Sequence, residues 1–163
     1  MQGYKEATAR LPVGKDEIRT LIPHAGAMCL LHAVLAWDDE SIHCTSDTHR
    51  AADNPLRREG HLSALHAFEY GAQAVAIHGG LRARAAGIAL PSAYLAGLRA
   101  AHLHADYLDA FEQSLTVHAT RVFGDTGNAI YVARITAGET LLAEARITIM
   151  LRTGRMWRRG PRQ

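Results

Sequence analysis

The stretch NPLRREGHLSALHAFEYGAQAVAIHGG, Asn54 to Gly80, decides how the rest of the chain is read. It opens as a charged loop with a breaker pair, Asn54-Pro55, and becomes an apolar run rich in small residues. From Leu62 to His78, the residues Leu62, Leu65, Phe68, Ala72, Val75 and Ala76 recur at helical spacing. The remaining faces are rich in Ala and Gly, so little of this helix is designed for water. Gly79-Gly80 is expected to end it, as C-terminal glycines do. Such a helix spans roughly 25 Å, enough to cross the core of a small domain.

The flanks supply the wrapping. Lys15 to Ile22 reads as a short helix stopped by Pro23. MCLLHAVLAW (Met28 to Trp37) and SIHCTSD (Ser41 to Asp47) are strand-compatible runs around an acidic turn, Asp38-Asp39-Glu40, and predict a hairpin. His49 to Gly60 is polar and reads as a loop. Beyond Pro91, SAYLAGLRAAHLHA (Ser92 to Ala105) reads as a long strand, with a break near Asp106 to Ala110. Leu115, Val117 and Ala119 then alternate with polar residues. The turn Gly124 to Asn128 leads into AIYVARITA, and Ala137 to Thr140 turns again into LLAEARITIM. In that last run Leu141, Ala143, Ala145, Ile147 and Ile149 share one face. Alternating strands joined by short turns form an antiparallel meander. The fold class is α+β: one sheet wrapped around one long helix.

Composition agrees with one domain over residues 1–163. Hydrophobic residues make up 48% and charged residues 21%, as in ordinary soluble domains. A formal charge of +2 is too small to argue for nucleic acid. Arg152, Arg155, Arg158, Arg159 and Arg162 form a basic tail over 152–163, read as solvated and poorly ordered, the alternative being contact with an acidic partner. Cys29 and Cys44 read as buried thiols in a reducing compartment. The opening MQGYKEATARLP has no apolar segment, and no run is long enough to cross a membrane. A cytoplasmic protein without a membrane span is expected.

One acid, Glu69, stands in the apolar run. A carboxylate there must be paired, hydrogen-bonded or kept neutral. Held neutral in a dry site, a carboxylic acid can donate a proton to a leaving group. A structural Glu bonded to a loop amide or an Arg is the competing interpretation. His102 and His104 share one face of a strand but lack a third ligand, so a solvated face is favoured over a metal site. His61 and His66 diverge on the helix, while His66 lies one turn before Glu69 and could reach it. His24, in LIPHAGAM, and His49, in THRAADNP, flank the hairpin, where loop ends could converge on the helix. No phosphate loop, zinc spacing or serine nucleophile elbow occurs, and neither a metal nor a cofactor is expected.

Taken in order, LIPHAGAMCLLHAVLAW, EYGAQAVAIHGG, AYLAGLRAAHL and LLAEARITI resemble the hot-dog-fold 3-hydroxyacyl-[acyl carrier protein] dehydratases of the FabZ type. The chain is most similar to the ApeP-like group of aryl polyene clusters, over roughly Leu21 to Leu151. The resemblance implies a curved antiparallel sheet around the helix, paired as a homodimer or as a heteromer with a paralogous hot-dog subunit. It implies dehydration of a 3-hydroxyacyl thioester, on acyl carrier protein or coenzyme A, to the trans-2-enoyl product in fatty-acid-like or polyene synthesis. Glu69 matches the family's helix acid, which in the family helps the hydroxyl leave from the other subunit of the pair, and Gln73 its glutamine four residues later. HRAADNP resembles the family's HFPGNP, which makes His49 the expected base. Peptide N–H groups from Gly60 through His61 and Leu62 to Ser63 would hold the thioester oxygen, as helix starts suit. His24 and Asn54 would line the substrate site, and Arg50, Arg57 and Arg58 would meet the carrier. HRAAD departs from HFPG, Ala27 stands in place of Pro, and His32 in place of Asp. A hot-dog thioesterase, or a non-catalytic subunit stabilising a dehydratase partner, are the alternatives.

Overall fold

The computed structural model describes residues 12–89 and 92–152. The basic tail from residue 153 on, and the N-terminal segment up to residue 11, lie outside them. The chain opens with helix α1 (Lys15–Leu21), with Asp16 and Glu17 in its first turn and Arg19 in its last, each sign suited to the helix dipole. A seven-residue helix does not hold itself together. Ile18, fully buried, anchors this one to the core.

A short 3-10 turn at Gly26–Met28 leads to strands β1 (Ala33–Trp37) and β2 (Ser41–Ser46). Their turn is tied by Asp38, whose Oδ1 accepts from the amides of Glu40 and Ser41 at 2.8 and 2.7 Å. The long helix, α2, runs Ala67–Ala85, preceded by a 3-10 turn at Ala64–His66. Strands β3 (Ala93–Leu103), β4 (Leu115–Gly124), β5 (Asn128–Ala137) and β6 (Thr140–Leu151) follow. The six strands form one sheet in the order β1-β2-β4-β5-β6-β3, each pair antiparallel. Placing α2 between β2 and β3 sends β3 to the far edge, so the sheet curls around the helix.

Small residues let α2 lie close against the sheet. A Cβ at Gly71 would meet Ile147 Cδ1 at 3.2 Å and Ala133 Cβ at 3.4 Å. Val117, Ala119, Ile135, Ala143 and Ala145 complete this buried face. Cys29 and Cys44 are both buried free thiols, and burial pushes Cys44 up to about 12.

The helix ends later than its glycines suggest. It passes through Gly79-Gly80 and stops at Ala85. Gly80 is a contact point instead: an added Cβ would sit 3.0 Å from Leu21 Cδ2, so this glycine seats the end of α1. The stop signal is Gly87, at φ +67°, a left-handed conformation that suits glycine. Ile88 N–H donates to the Ala83 carbonyl at 3.0 Å and Gly87 N–H to Arg84 at 3.1 Å, the two bonds of a Schellman cap. The start also differs, since Leu62 precedes the 3-10 turn, whose Ser63 Oγ accepts from Leu65 N–H.

One buried histidine ties the helix to the hairpin. His78 Nε2 lies 2.7 Å from the Asp38 carbonyl, which can only accept, so Nε2 carries the hydrogen. Its Nδ1 then accepts from the Tyr131 hydroxyl at 2.8 Å. Burial lowers the His78 pKa, the Asp38 carbonyl opposes that, and Arg82 and Arg121 reinforce it. His32, His49 and His118 are lowered too, with burial the largest cause each time. Unfolding frees these rings to take up protons near pH 6.5. Above that value both states are neutral there and the rings leave stability unchanged. As pH falls from about 6.5 through the lower folded values, the unfolded state gains protons first and stability is lost. The melting temperature should therefore be level above pH 7 and fall between pH 6.5 and 5, before carboxylates titrate. A melting temperature unchanged from pH 7.5 to 5.5 would contradict this account.

Candidate active site

The site grows from Gln73, which is fully buried on α2. Its Oε1 accepts from Leu30 N–H at 3.0 Å, and its Nε2 donates to the Met28 carbonyl at 2.8 Å. The same Nε2 donates to Glu69 Oε1 at 3.0 Å. Positions four apart on a helix share a face, so the glutamine and the acid meet without strain. The segment Met28–Leu30 is thereby pinned to the helix, which carries the preceding loop over Glu69. His24 Nε2 lies 3.2 Å from Glu69 Oε1, and both side chains are 32% exposed. His24 Nδ1 is buried and has no hydrogen-bond partner. Glu69 also stands in the first turn of α2, where the helix dipole favours negative charge.

His49 is placed differently. It is fully buried in a 3-10 turn, Thr48–Arg50, with Nε2 3.0 Å from the Phe111 carbonyl. Burial lowers its pKa, with the Phe111 carbonyl acting the other way. Its carbonyl accepts from Arg57 Nη2 at 3.1 Å. Around it runs a polar knot centred on Tyr70, whose hydroxyl meets Thr48 Oγ1 at 2.7 Å and Asn54 Nδ2 at 3.2 Å. Asn54 Nδ2 also donates to the Thr48 carbonyl, and its Oδ1 accepts from Leu56 N–H. Within one chain, then, His24 and Glu69 are in contact, while His49 and Asn54 lie in the loop beside them. Tyr70 was not singled out from the sequence. Its position beside Glu69 in an apolar helix, a hydroxyl that burial obliges to bond, was the available signal.

Two of the four expected oxygen-binding amides are occupied. His61 N–H donates to the Arg58 carbonyl at 2.9 Å, and Leu62 N–H to Asp109 Oδ1 at 2.8 Å. Gly60 turns the chain at φ +81°, and its carbonyl accepts from Arg57 Nη1. Asp109 Oδ2 lies 3.2 Å from His61 Nδ1 and 3.4 Å from Arg57 Nη1. Burial works to raise the Asp109 carboxyl, but the Leu62 amide, its own backbone, His61 and Arg57 hold it below the usual range. Arg57 thus braces the loop from inside, whereas Arg50 and Arg58 stay exposed, Arg50 pairing with Asp47 at 2.7 Å. His32 Nδ1 accepts from Asp47 N–H at 3.0 Å. His104 faces Glu144 at 3.5 Å. Among the described residues no group of three His, Cys, Asp or Glu side chains is placed to hold a metal ion.

A family model described as ApeP dehydratase matches residues 16–155. No curated protein sequence matches the chain significantly. Among solved structures, the dehydratase heterocomplex ApeI:P from Xenorhabdus doucetiae is similar at TM-score 0.76 and 22% identity, covering 83% of this chain and 91% of that one. The PaaI protein of the E. coli phenylacetic acid degradation operon is similar at TM-score 0.54 and 13% identity, over 72% and 80% of the two chains. A mutant thioesterase from Pseudomonas aeruginosa gives 0.51 and 14%, over 88% and 96%. These likenesses show the hot-dog fold.

Gln73→Leu keeps the volume but strands the Leu30 N–H and the Met28 carbonyl in the interior. It should cost about 1–3 kcal/mol of stability in denaturant titration. A variant as stable as the parent would mean the clamp is not made in solution.

Proposed function

The chain belongs to the ApeP-like dehydratase family, and we propose that it removes water from a 3-hydroxyacyl thioester with His24 and Glu69 as its proton-transfer pair. The observation that carries this reading is the 3.2 Å contact between His24 Nε2 and Glu69 Oε1, with both side chains partly open to solvent. Elimination needs a base at C2 and an acid at the C3 hydroxyl, and one proton held between these two groups meets both needs. His24 Nε2 takes the C2 proton, and the electron pair forms the C2–C3 double bond. Glu69 gives its proton to the hydroxyl, which leaves as water. Transfer of the proton from His24 to Glu69 across their hydrogen bond restores the pair. Gln73 holds Glu69 in place throughout, and the N-terminal end of α2 favours the negative charge that gathers on the thioester oxygen.

In this scheme His49 is a positioning residue that keeps the loop over α2. The acyl group arrives as a thioester of acyl carrier protein or coenzyme A, in cytoplasmic fatty-acid-like or polyene synthesis. Exposed Arg50 and Arg58 meet the acidic carrier or the phosphopantetheine phosphate. Strand β3 supports an assembly of two hot-dog subunits, either two copies or this chain with a paralogue. It is an edge strand exposed almost throughout, with Tyr94, Leu95, Leu98 and Leu103 open to solvent.

The purified protein, alone and with a paralogue, should convert a 3-hydroxyacyl-carrier substrate to a product lighter by one water. Release of free acid would make it a thioesterase, and no change in either setting would make it a supporting subunit. His24→Ala and Glu69→Gln should each lower turnover by about 10²–10⁴ with the fold retained. His49→Asn should lower the melting temperature while the remaining folded protein turns over. If His49→Asn stays folded but inactive and His24→Ala keeps its rate, His24 is not the base.

A further inference from the structure

A cavity of about 730 Å³ opens beyond the dyad, between the second half of α2 and the ends of β5 and β6. That is room for a sizeable organic group. Its helix wall is Ala76, Gly79, Ala83 and Ala86, and Leu21 and Pro23 close the side next to His24. Glu69, Ala72, Ala76 and Gly79 follow the i, i+3, i+7, i+10 stripe of one helix face and are all half-buried, so the cavity continues the side of α2 that carries the acid. A chain bound at the dyad and laid along this face therefore runs into the cavity.

The far end is not apolar. Arg82, on α2, and Arg121, on β4, both line it. The Nε–H of each is buried and has no acceptor among the described residues. An Arg turned inward without a partner costs stability unless a ligand completes it. Gly124 makes the room for this: a Cβ there would overlap the Arg121 guanidinium. Asp125 also stands at this end, but its Oδ1 is taken by the amides of Gly127 and Asn128 at 2.7 Å. Two guanidinium groups against one occupied carboxylate leave the end cationic. Along the helix, Arg82 lies thirteen residues beyond Glu69, about 20 Å.

We propose that this cavity receives the distal end of the acyl chain, and that Arg82 and Arg121 select chains ending in a carboxylate. Planar guanidinium donors suit a carboxylate, and an apolar corridor leading to them suits the methylenes before it. This deepens the dehydratase reading by naming the substrate class, and it rests on that reading only for the thioester end.

The test compares two 3-hydroxyacyl pantetheine thioesters of equal length, one ending in a methyl and one in a carboxylate. Binding is measured by isothermal titration on Glu69→Gln, so that turnover does not intrude. The carboxylate-ended ligand should bind about tenfold tighter or more, the usual worth of charge-assisted hydrogen bonds. That advantage should vanish in added Arg82→Met or Arg121→Met. Gly124→Ala should weaken it by displacing the Arg121 head group without removing its charge. Equal affinity for the two ligands overturns the proposal, as does a preference that survives both arginine substitutions. Should an arginine variant not fold, the ligand comparison in Glu69→Gln and in Gly124→Ala still decides. A preference found in a protein that never dehydrates leaves this inference standing and removes the dehydratase reading instead.

Discussion

Everything near the mouth depends on the amide of Gln73. Its side chain faces the interior, the Met28–Leu30 segment and the acid at once. Its acceptor and donor match a backbone N–H and carbonyl that would otherwise lie buried without partners. Met28–Leu30 is thereby held at a fixed height on α2, and the loop carrying His24 follows. Core packing and the histidine–glutamate contact share this joint, so a change made for one is felt by the other.

The cost of a carboxylate in an apolar helix is met by position. Glu69 sits in the first turn, one-third exposed, with a histidine and an amide as partners. It is polar where the helix emerges from the sheet. Farther along, where enclosure is complete, the polar residue is the neutral ring of His78 with both nitrogens bonded.

The long helix, the hairpin and the meander were legible because their periodicities reflect which faces meet the core. The strands from Leu115 onward alternate as expected, and Ala143, Ala145 and Ile147 are buried together. The end of the helix was not legible. Gly80 looks like a cap, and only the position of Leu21, distant in sequence, shows that it is a seat. Glu69 and Gln73 stood out because a polar residue in an apolar run needs a reason. The surroundings of His24 and His49 demanded the third dimension, since both sit in polar loops flanking the same hairpin. His24 Nε2 meets Glu69, His49 Nε2 meets the Phe111 carbonyl 62 residues away, and the Nδ1 of each is buried without a partner among the described residues. Arg82 and Arg121 were hidden in the same way, far apart in sequence and joined only by the cavity they line.

The edge strand β3 bears on how such chains diversify. Its ladder to β6 uses one side of its backbone, so the other side offers a row of donors and acceptors with no side-chain identity. Any duplicate that keeps this strand extended keeps the same open backbone edge. Discrimination between self and sibling must then reside in side chains such as Tyr94, Leu95, Leu98 and Leu103. Were two such edges to pair, substitutions at these four positions would decide between like and mixed assemblies without touching the rest of the chain.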